Sequence, residues 1–375
     1  MKKKLLIATD SFIPRWDGIA QFLSEIIPRL AEDYSITVIA PDFKGEQNHI
    51  ANVRIVRIPL SMWDFGDYTL AKLKRKKIRE LVKDSDIVWV QSIGPIGGTA
   101  LYYAKKAAIP SAYFVNSIEW ELVSMSISRP YLSFIITQLV KVAAKWLYKK
   151  ANLIITPSQE VARIFDNECI TTPKKVVYLG TDTSKFRPPE NKDEAKKSVG
   201  IDPEYTVIGY HGRIAREKNL MTLYYAFLKL QKKHPKTKLL IVGSGIQKME
   251  ALFRSSVGIK HIRSKDNVLP YLQAMDIYVL PSLTETTSLS TLEAMSCGCA
   301  VISTKVGLVK RYIKDKVNGS FFPMGNASAL KVKLNWLVEN PGIRAKLGRN
   351  ARETVKAKFN WERTEIGIRK ALEEL

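Results

Sequence analysis

The sequence predicts an α/β protein built from two Rossmann-like, doubly wound domains. Short apolar segments alternate with segments of helical period, which is typical of parallel sheets covered by helices. The length of 375 residues exceeds the roughly 250–300 residues at which a single hydrophobic core stops growing, which predicts two domains. A polar stretch with prolines at 180–189 interrupts the alternation, which then restarts. Each half is therefore predicted to form its own sheet.

The individual elements follow from the period of the apolar residues. In the first half the predicted strands are Lys4–Ala8, Ser35–Ala40, Arg54–Ile58, Ile87–Gln91, Ser111–Val115 and Leu153–Thr156. The predicted helices between them include Ile19–Leu30, Lys72–Lys83 and Gly98–Ala107. In the second half the predicted strands are Thr206–Gly209, Lys238–Val242, Ile277–Leu280 and Ala300–Ser303. Two such domains facing each other would form a cleft, with ligands outside the carboxyl ends of the strands.

The composition argues against several classes of protein. The chain is 46% hydrophobic and 25% charged, which is ordinary for a soluble globular protein and argues against disorder. Three cysteines without a C-x-x-C motif fit a reducing compartment better than a disulfide framework or a zinc site. Lys2–Lys4 precede only about four apolar residues, too few for a signal peptide, so a buried strand is expected. We expect a cytoplasmic protein that does not span the membrane.

The formal net charge of +23 favours an anionic partner, and nucleic acid, an acidic membrane face and a phosphorylated ligand all remain open. The densest basic run is Lys72–Arg79, on a predicted helix. Such a helix can bind an anionic bilayer, at about 1 kcal/mol per basic residue near the surface, or can face solvent. The apolar stripe of Tyr131–Leu147, interrupted by Lys141 and Lys145, either adds a membrane contact or belongs to the core.

Candidate binding residues follow the predicted strand Ile277–Leu280. The small residues at 286–288 leave backbone N–H groups accessible at the start of a helix, where a phosphate is favoured. Glu293 lies five residues beyond Ser288, roughly 7–8 Å along the helix, about the distance from a pyrophosphate to the ribose of a nucleotide. Glu285 would then lie near the other end of the diphosphate. Alternatively, Ser290 and Glu293 form a capping box and are only structural.

Two cations precede this motif in the sequence. Arg213 and Lys218 follow the strand that ends near Gly209, in a turn that leads into a helix. They could reach the same cleft and neutralise a diphosphate, which would also stabilise it as a leaving group. The alternative is that both are solvated surface residues of a basic protein.

Taken together, these residues resemble the retaining GT-B glycosyltransferases of the GT4 type, also called glycosyl transferases group 1. The matching pieces lie along nearly the whole chain, in the family's order. They are Phe12–Pro14, Gly18, Asp86–Val88, Ala151–Ser158, Gly180–Asp182, Phe186, Pro188, Gly212–Arg213, Lys218, Leu240–Gly245, Leu280–Ser282, Glu285, Glu293–Met295, Gly298 and Phe359–Trp361.

The resemblance implies a GT-B fold, a nucleotide-diphosphate-sugar donor linked to UDP or GDP, no cofactor or metal, and transfer with retention of anomeric configuration. It implies an acceptor-binding domain at 1–180, onto which a C-terminal helix at about 360–375 packs back, and a donor-binding domain at 181–359. The implied donor-binding residues are Gly18, Arg213, Lys218, Glu285, Thr287, Ser288, Leu289 and Glu293. Glu285, Arg213 and Lys218 are also the implied catalytic residues.

The chain departs from the family at one position of the first domain. Members usually carry a histidine after the strand that here is Ser111–Val115, whereas this chain has Asn116. An asparagine can hydrogen-bond a sugar hydroxyl but does not titrate. Gln91 likewise stands where relatives often have histidine. We expect Asn116 in the active site, and the alternative for both residues is a polar side chain at a strand end.

The acceptor is predicted to be a sugar or a lipid-linked molecule, which would place the protein peripherally on the inner face of the membrane. Two other classes of function remain open at this point. One is a sugar-nucleotide epimerase of the same fold, which would act on the donor alone. The other is a basic nucleic-acid-binding protein, although no recognised motif is present and aromatic residues do not interleave with the basic run.

Overall fold

The chain folds into two compact units, each an α/β domain. A computed structural model describes residues 2–15, 17–45, 50–65, 68–121, 130–263 and 267–375. Unit 1 comprises Met1–Tyr178 and Thr364–Leu375, and unit 2 comprises Leu179–Arg363. Each unit has its own parallel sheet with helices on its faces.

Unit 1 contains a seven-stranded parallel sheet in the order β3-β2-β1-β6-β7-β8-β9. Its strands are β1 (Lys3–Ala8), β2 (Tyr34–Pro41), β3 (Val53–Ile58), β6 (Ile87–Val90), β7 (Ser111–Phe114), β8 (Leu153–Thr156) and β9 (Lys174–Val176). Its helices are α1 (Gly18–Leu30), α2 (Arg75–Lys83), α3 (Pro95–Lys106), α4 (Pro130–Tyr148) and α5 (Gln159–Asn167). The strand order reverses at β1, which pairs with β2 on one side and β6 on the other.

Unit 2 contains a six-stranded parallel sheet in the order β12-β11-β10-β13-β14-β15. Its strands are β10 (Thr206–His211), β11 (Thr237–Val242), β12 (Ile259–Ile262), β13 (Ile277–Leu280), β14 (Ala300–Ser303) and β15 (Ser320–Phe321). Its helices are α6 (Lys192–Ser198), α7 (Leu220–Gln231), α8 (Gln247–Ser255), α9 (Leu269–Ala274), α10 (Leu289–Ser296), α11 (Val309–Tyr312), α12 (Ala327–Glu339) and α13 (Pro341–Lys358), with a 3-10 turn at Arg216–Lys218.

The sheet order of unit 2 fixes where its ligand is expected. The order reverses between β10 and β13, which pair through Ile208 and Ile277. In open parallel sheets, ligands bind at this switch point, outside the carboxyl ends of the strands. Those ends are His211 and Leu280, and each leads directly into one of the motifs identified in the sequence.

An antiparallel hairpin in unit 1 is an element that the apolar pattern did not predict. It consists of β4 (Leu60–Phe65) and β5 (Tyr68–Ala71). The predicted helix at 72–83 accordingly begins only at Arg75. Met62 on β4 is 96% exposed, and no short run of consecutive apolar residues, by which the sheet strands were predicted, marks this segment.

The last helix, α14 (Trp361–Glu373), returns the chain from unit 2 to unit 1. The Thr364 hydroxyl donates a hydrogen bond to the carbonyl of Tyr178 at 2.9 Å. Gly367 lies so close to Val177 that a Cβ would approach its side chain to 2.7 Å. These contacts attach the C-terminal helix to the end of the first unit.

The apolar stripe of α4 is exposed, so its interpretation as a core element is wrong. Phe134, Leu139 and Val142 are 64%, 65% and 68% exposed. Ala144 and Tyr148, which lie outside the exposed arc, are fully buried and anchor the helix. Within the described part of the chain, no helix is both long and apolar enough to cross a bilayer.

Candidate active site

The site in unit 2 begins with the turn between β13 and α10. Ser288 precedes the helix with φ of 62°, a left-handed conformation that is uncommon for a residue other than glycine. Its carbonyl accepts from the amides of Thr291 and Leu292, whereas helix geometry gives the amides of Leu289 and Ser290 no acceptor within the helix. The start of α10 therefore presents N–H donors at the carboxyl edge of the sheet.

Two contacts from the segment after β14 hold this turn in place. The Tyr312 hydroxyl donates to the carbonyl of Thr287 at 2.9 Å, and the amide of Leu308 donates to the carbonyl of Thr286 at 2.8 Å. Gly307, with φ of +43°, lies against Glu285, and a Cβ there would come within 1.9 Å of the Glu285 carbonyl oxygen. Only a residue without a side chain allows this close approach.

The capping-box interpretation of Ser290 and Glu293 is wrong. A capping box would require Ser290 to be the N-cap, three residues before Glu293. The N-cap of α10 is Ser288, so Ser290 lies inside the helix, at its second residue. The hydroxyl of Ser290 accepts a hydrogen bond from the Tyr278 hydroxyl at 3.0 Å instead. This contact ties α10 to the neighbouring strand β13.

Glu293 is buried beside a histidine that the sequence did not single out. Its carboxylate is only 1% exposed, and its Oε2 lies 3.4 Å from Nε2 of His211, the last residue of β10. Nδ1 of His211 is buried and has no hydrogen-bond partner among the described residues. The signal that could have identified His211 is its position at the carboxyl end of the switch-point strand.

Burial controls the protonation of this histidine. Removal from water lowers the pKa of His211 to about 4 from its ordinary 6.5, because it disfavours the charged ring. At neutral pH the side chain next to Glu293 is therefore an uncharged imidazole. It can exchange hydrogen bonds with a polar ligand without adding a fixed charge.

This histidine predicts a pH dependence of stability. Between pH 6.5 and 4 the unfolded chain binds a proton at His211 that the folded chain does not bind, so folding weakens as the pH falls. We expect a loss of about 2 kcal/mol in the free energy of unfolding between pH 7 and pH 5 from this group alone. Urea unfolding of wild type and His211→Gln at both pH values measures it. Equal pH dependence in the two proteins would contradict the assignment.

Glu285 lies just before α10 and is held by two donors. Lys218 Nζ donates to Glu285 Oε1 at 2.6 Å, and the Ser282 hydroxyl donates to the same oxygen at 2.8 Å. The carboxylate is 10% exposed and the lysine side chain 20% exposed. A partly buried ion pair of this kind links the turn after β10 to the turn after β13.

Arg213 is held by a neighbouring acid. Its guanidinium pairs with Glu217, and its carbonyl accepts from the Tyr210 hydroxyl at 2.9 Å. With side-chain exposures of 20% each, Arg213 and Lys218 are not solvated surface cations, so that alternative is wrong. Both are paired with carboxylates, which an anionic ligand would have to replace.

Tyr278 connects the two halves of this site. Its hydroxyl contacts Ser290, and it lies 3.2 Å from the carbonyl of His211. Burial is the main cause that raises its pKa, and the charges of Glu285 and Glu293 act in the same direction. Both carboxylates therefore lie near one buried hydroxyl.

Unit 1 contributes a separate cluster at the ends of β6 and β7. Asn116 Nδ2 donates to the carbonyl of Gln91 at 2.9 Å and to its Oε1 at 3.2 Å. The Gln91 side chain is 1% exposed, and its Nε2 has no hydrogen-bond partner among the described residues. Asn116 and Gln91 are therefore in direct contact.

Gly18 begins α1, and the Asp17 carboxylate caps the helix by accepting from the amides of Ile19 and Ala20 at 3.0 Å. A Cβ on Gly18 would meet no atom of the described chain within 4 Å. Packing within the described residues therefore does not require glycine here, and the open space is available to a ligand. Arg213, Lys218, Glu285, Thr287, Ser288, Leu289 and Glu293 belong to unit 2, whereas Gly18 and Asn116 belong to unit 1.

Two Rossmann-like units define the GT-B class of fold, and comparisons with known proteins agree. Residues 191–354 match the family described as Glycosyl transferases group 1, and residues 16–185 match Glycosyltransferase Family 4. A solved structure of Anabaena HepE in complex with UDP-glucose superposes with a TM-score of 0.78 at 18% identity, covering 100% of both chains.

The relatives in sequence are also glycosyltransferases. An uncharacterized glycosyltransferase of Methanocaldococcus jannaschii is 32% identical over 97% of this chain and 96% of its own. An alpha-monoglucosyldiacylglycerol synthase of Streptococcus pneumoniae is 25% identical over 84% of this chain and 74% of its own. The chain belongs to the GT4-type glycosyltransferases, the glycosyl transferases group 1. The epimerase and nucleic-acid-binding alternatives are not favoured.

Proposed function

We propose that the protein transfers a hexose from a nucleotide-diphosphate sugar to a lipid-linked acceptor, with retention of anomeric configuration. The observation that carries the proposal is the arrangement at the start of α10. Lys218 and Glu285 form an ion pair, α10 begins four residues after Glu285, and Glu293 is buried with His211 further along the same helix. The cation and the amide donors would bind a diphosphate, and the carboxylate further along the helix would bind the ribose of the same nucleotide.

The donor would bind by exchanging ionic partners. Lys218 and Arg213 are each paired with a carboxylate, and a diphosphate brings charges that compete for both cations. The amides of Leu289 and Ser290 would add hydrogen bonds to the same phosphates. Glu293 would accept hydrogen bonds from the ribose hydroxyls, with the neutral His211 beside it.

The transfer step breaks the bond between sugar C1 and the diphosphate oxygen and forms a bond from C1 to the acceptor oxygen on the same face. The acceptor proton moves to the departing phosphate oxygen, so no protein residue has to be reprotonated. Positive charge develops at the sugar ring and negative charge on the leaving group. Lys218, Arg213 and the helix amides stabilise the leaving group, and Glu285 faces the sugar.

The donor and acceptor classes are supported by relatives. UDP-glucose is bound by the HepE structure, and the Streptococcus pneumoniae relative is named for a glucosylated diacylglycerol. We infer a UDP- or GDP-linked donor and an acceptor embedded in a membrane. The protein would then act peripherally, on the cytoplasmic face. In unit 1, α2 presents an exposed basic face that fits this location, while Ile78, Leu81 and Val82 are buried beneath it.

A ligand screen and a transfer assay test the proposal. Thermal shift with UDP, GDP and ADP identifies the base, because a ligand that binds only the folded state raises the melting temperature. The matching nucleotide sugar is then incubated with diacylglycerol vesicles, and glycolipid formation is followed. Conversion of the donor without an acceptor would indicate an epimerase. A steeply salt-dependent affinity for RNA without donor turnover would indicate a nucleic-acid-binding protein.

Donor binding predicts a loss of affinity on mutation of the buried acid. Glu293→Gln should weaken binding of the nucleoside diphosphate by roughly 1.5–3 kcal/mol, the range for hydrogen bonds to a charged group. Glutamine keeps the volume of the side chain at this 1% exposed position. Isothermal titration calorimetry measures the affinity, and the melting temperature without ligand controls for folding. An unchanged affinity in a folded variant would remove Glu293 from the ribose site.

A further inference from the structure

The exposed side of α4 is the largest concentration of exposed apolar side chains among the described residues. Phe134, Ile135, Leu139, Val142 and Trp146 are between 41% and 68% exposed. At about 100° per residue, these five positions fall within an arc of roughly 140° on one side of the helix. Tyr102 of α3 extends the arc, because its ring stacks on Trp146 with 6.1 Å between centroids. These six residues are called the α4 apolar surface.

Cations surround the end of this surface at Trp146. Lys150 Nζ lies 3.7 Å from the centroid of the Trp146 ring and 5.6 Å from that of Tyr102. Lys149 is exposed beside them, and so are Lys105 and Lys106 at the end of α3. An apolar helix face with tryptophan and tyrosine at a basic border is typical of helices that lie in the interface of a bilayer.

We propose that the α4 apolar surface inserts into the headgroup region of an anionic lipid bilayer. Charge decides between this occupant and a second copy of the chain. A formal net charge of +23 makes two copies repel each other, whereas the same charge attracts the protein to acidic lipids. Insertion also buries the exposed apolar side chains away from water, which adds a favourable free energy to the electrostatic attraction.

The lysines on the helix itself are compatible with this orientation. Lys141 and Lys145 lie at the edge of the apolar arc, and both pair with Glu168, at 2.6 Å and 3.4 Å. Their charges are thus partly neutralised, so they do not have to be desolvated as isolated ions. The face that would enter the headgroup region carries no unpaired carboxylate among the described residues of α4.

The basic face of α2 and the α4 apolar surface are expected to act differently. Attraction through α2 is electrostatic and weakens as salt shortens the Debye length to about 8 Å at physiological ionic strength. Insertion through α4 depends on apolar burial and persists in salt. The inference builds on the proposed lipid acceptor, but vesicle binding is measured without donor or acceptor, so the two proposals fail separately.

The test compares vesicle binding by four proteins. Co-sedimentation uses vesicles of phosphatidylcholine alone and of equal parts phosphatidylcholine and phosphatidylglycerol, at low and physiological salt. The α4 variant carries Phe134→Gln, Leu139→Gln and Val142→Gln, all at exposed positions. The matched control carries Val257→Gln, Val332→Gln and Ile366→Gln, at positions that are 85%, 62% and 53% exposed. The α2 variant carries glutamine in place of Lys74, Lys76, Lys77 and Arg79.

We expect wild type and the matched control to bind the acidic vesicles at both salt concentrations. The α4 variant should lose binding at physiological salt by roughly tenfold or more. The α2 variant should lose mainly the salt-sensitive part. Equal binding by the α4 variant and wild type, or no binding by wild type, would overturn the proposal. So would a wild-type dimer in light scattering that becomes monomeric in the α4 variant without vesicle binding, which would assign the surface to a second copy.

Discussion

Glu285→Gln is expected to lower sugar transfer by roughly 10²–10³-fold, the scale of a lost electrostatic contribution to a transition state. Glutamine keeps the size of the side chain and can still accept from the Ser282 hydroxyl. It removes the negative charge that, in the proposed function, would face the sugar when positive charge develops at C1. The turnover number at saturating donor measures the effect, because the substitution should destabilise the transition state more than it weakens nucleotide binding.

A glutamate on the surface of the same unit provides the matched control. Glu204 also pairs with a lysine, Lys236, at 2.7 Å, but both side chains are well exposed. Glu204→Gln should turn over as wild type does, since an exposed pair contributes little. If Glu285→Gln retained turnover close to that of Glu204→Gln, Glu285 would have no role in the chemical step.

Removing the cation from Lys218 is expected to have an effect of similar size. Lys218→Gln should lower turnover by roughly 10²–10³-fold, because the departing diphosphate loses a fixed positive charge in a partly buried site. The variant also leaves Glu285 without its ion-pair partner, so some stability is lost as well. Turnover is therefore compared at a temperature where circular dichroism shows that both proteins are folded.

Three further variants separate the effect of charge from the effect of structure. Lys218→Arg keeps the positive charge and should retain more activity than Lys218→Gln. Arg213→Gln should likewise lose turnover, because Arg213 is the second cation proposed for the diphosphate. Lys236→Gln breaks an exposed pair in the same unit and should be nearly silent. Wild-type turnover by Lys218→Gln would contradict its role at the leaving group.

Most sheet strands could be predicted because they are buried on both faces. Strands β6, β7, β8, β13 and β14 are buried at every position and read as short continuous apolar runs. Strand β12 contains lysine and histidine and is only partly buried, β9 has three residues and β15 two. These edge strands are too short or too polar to show a pattern of apolar residues, and they are recognised as strands only by their pairing with a neighbouring strand.

The motifs of unit 2 could be predicted, but their contacts could not. Residue type, spacing and the family resemblance point to Glu285, Glu293, Arg213 and Lys218 as candidates. They do not point to the partner of Glu293, because His211 is 82 residues away in the sequence and becomes a neighbour only when β13 pairs with β10. The contact of Asn116 with Gln91 has the same origin, in the pairing of β6 with β7.

The exposure of α4 shows a limit of amphipathic patterns. Apolar residues occur on both sides of this helix, so their spacing does not reveal which side faces the core. The structure buries Ala144 and Tyr148 and leaves the larger aliphatic side chains outside. The basic face of α2 was easier to interpret, because its three buried residues, Ile78, Leu81 and Val82, follow helical spacing.

The most direct test of the central claim is the anomeric configuration of the first product. The nucleotide sugar selected by thermal shift is incubated with diacylglycerol vesicles, and proton NMR follows the anomeric signal from the start of the reaction. We predict a glycolipid with the same anomeric configuration as the donor, formed by wild type and at least 10²-fold more slowly by Glu285→Gln. A product with the inverted configuration, or equal rates for the two proteins, would contradict the account.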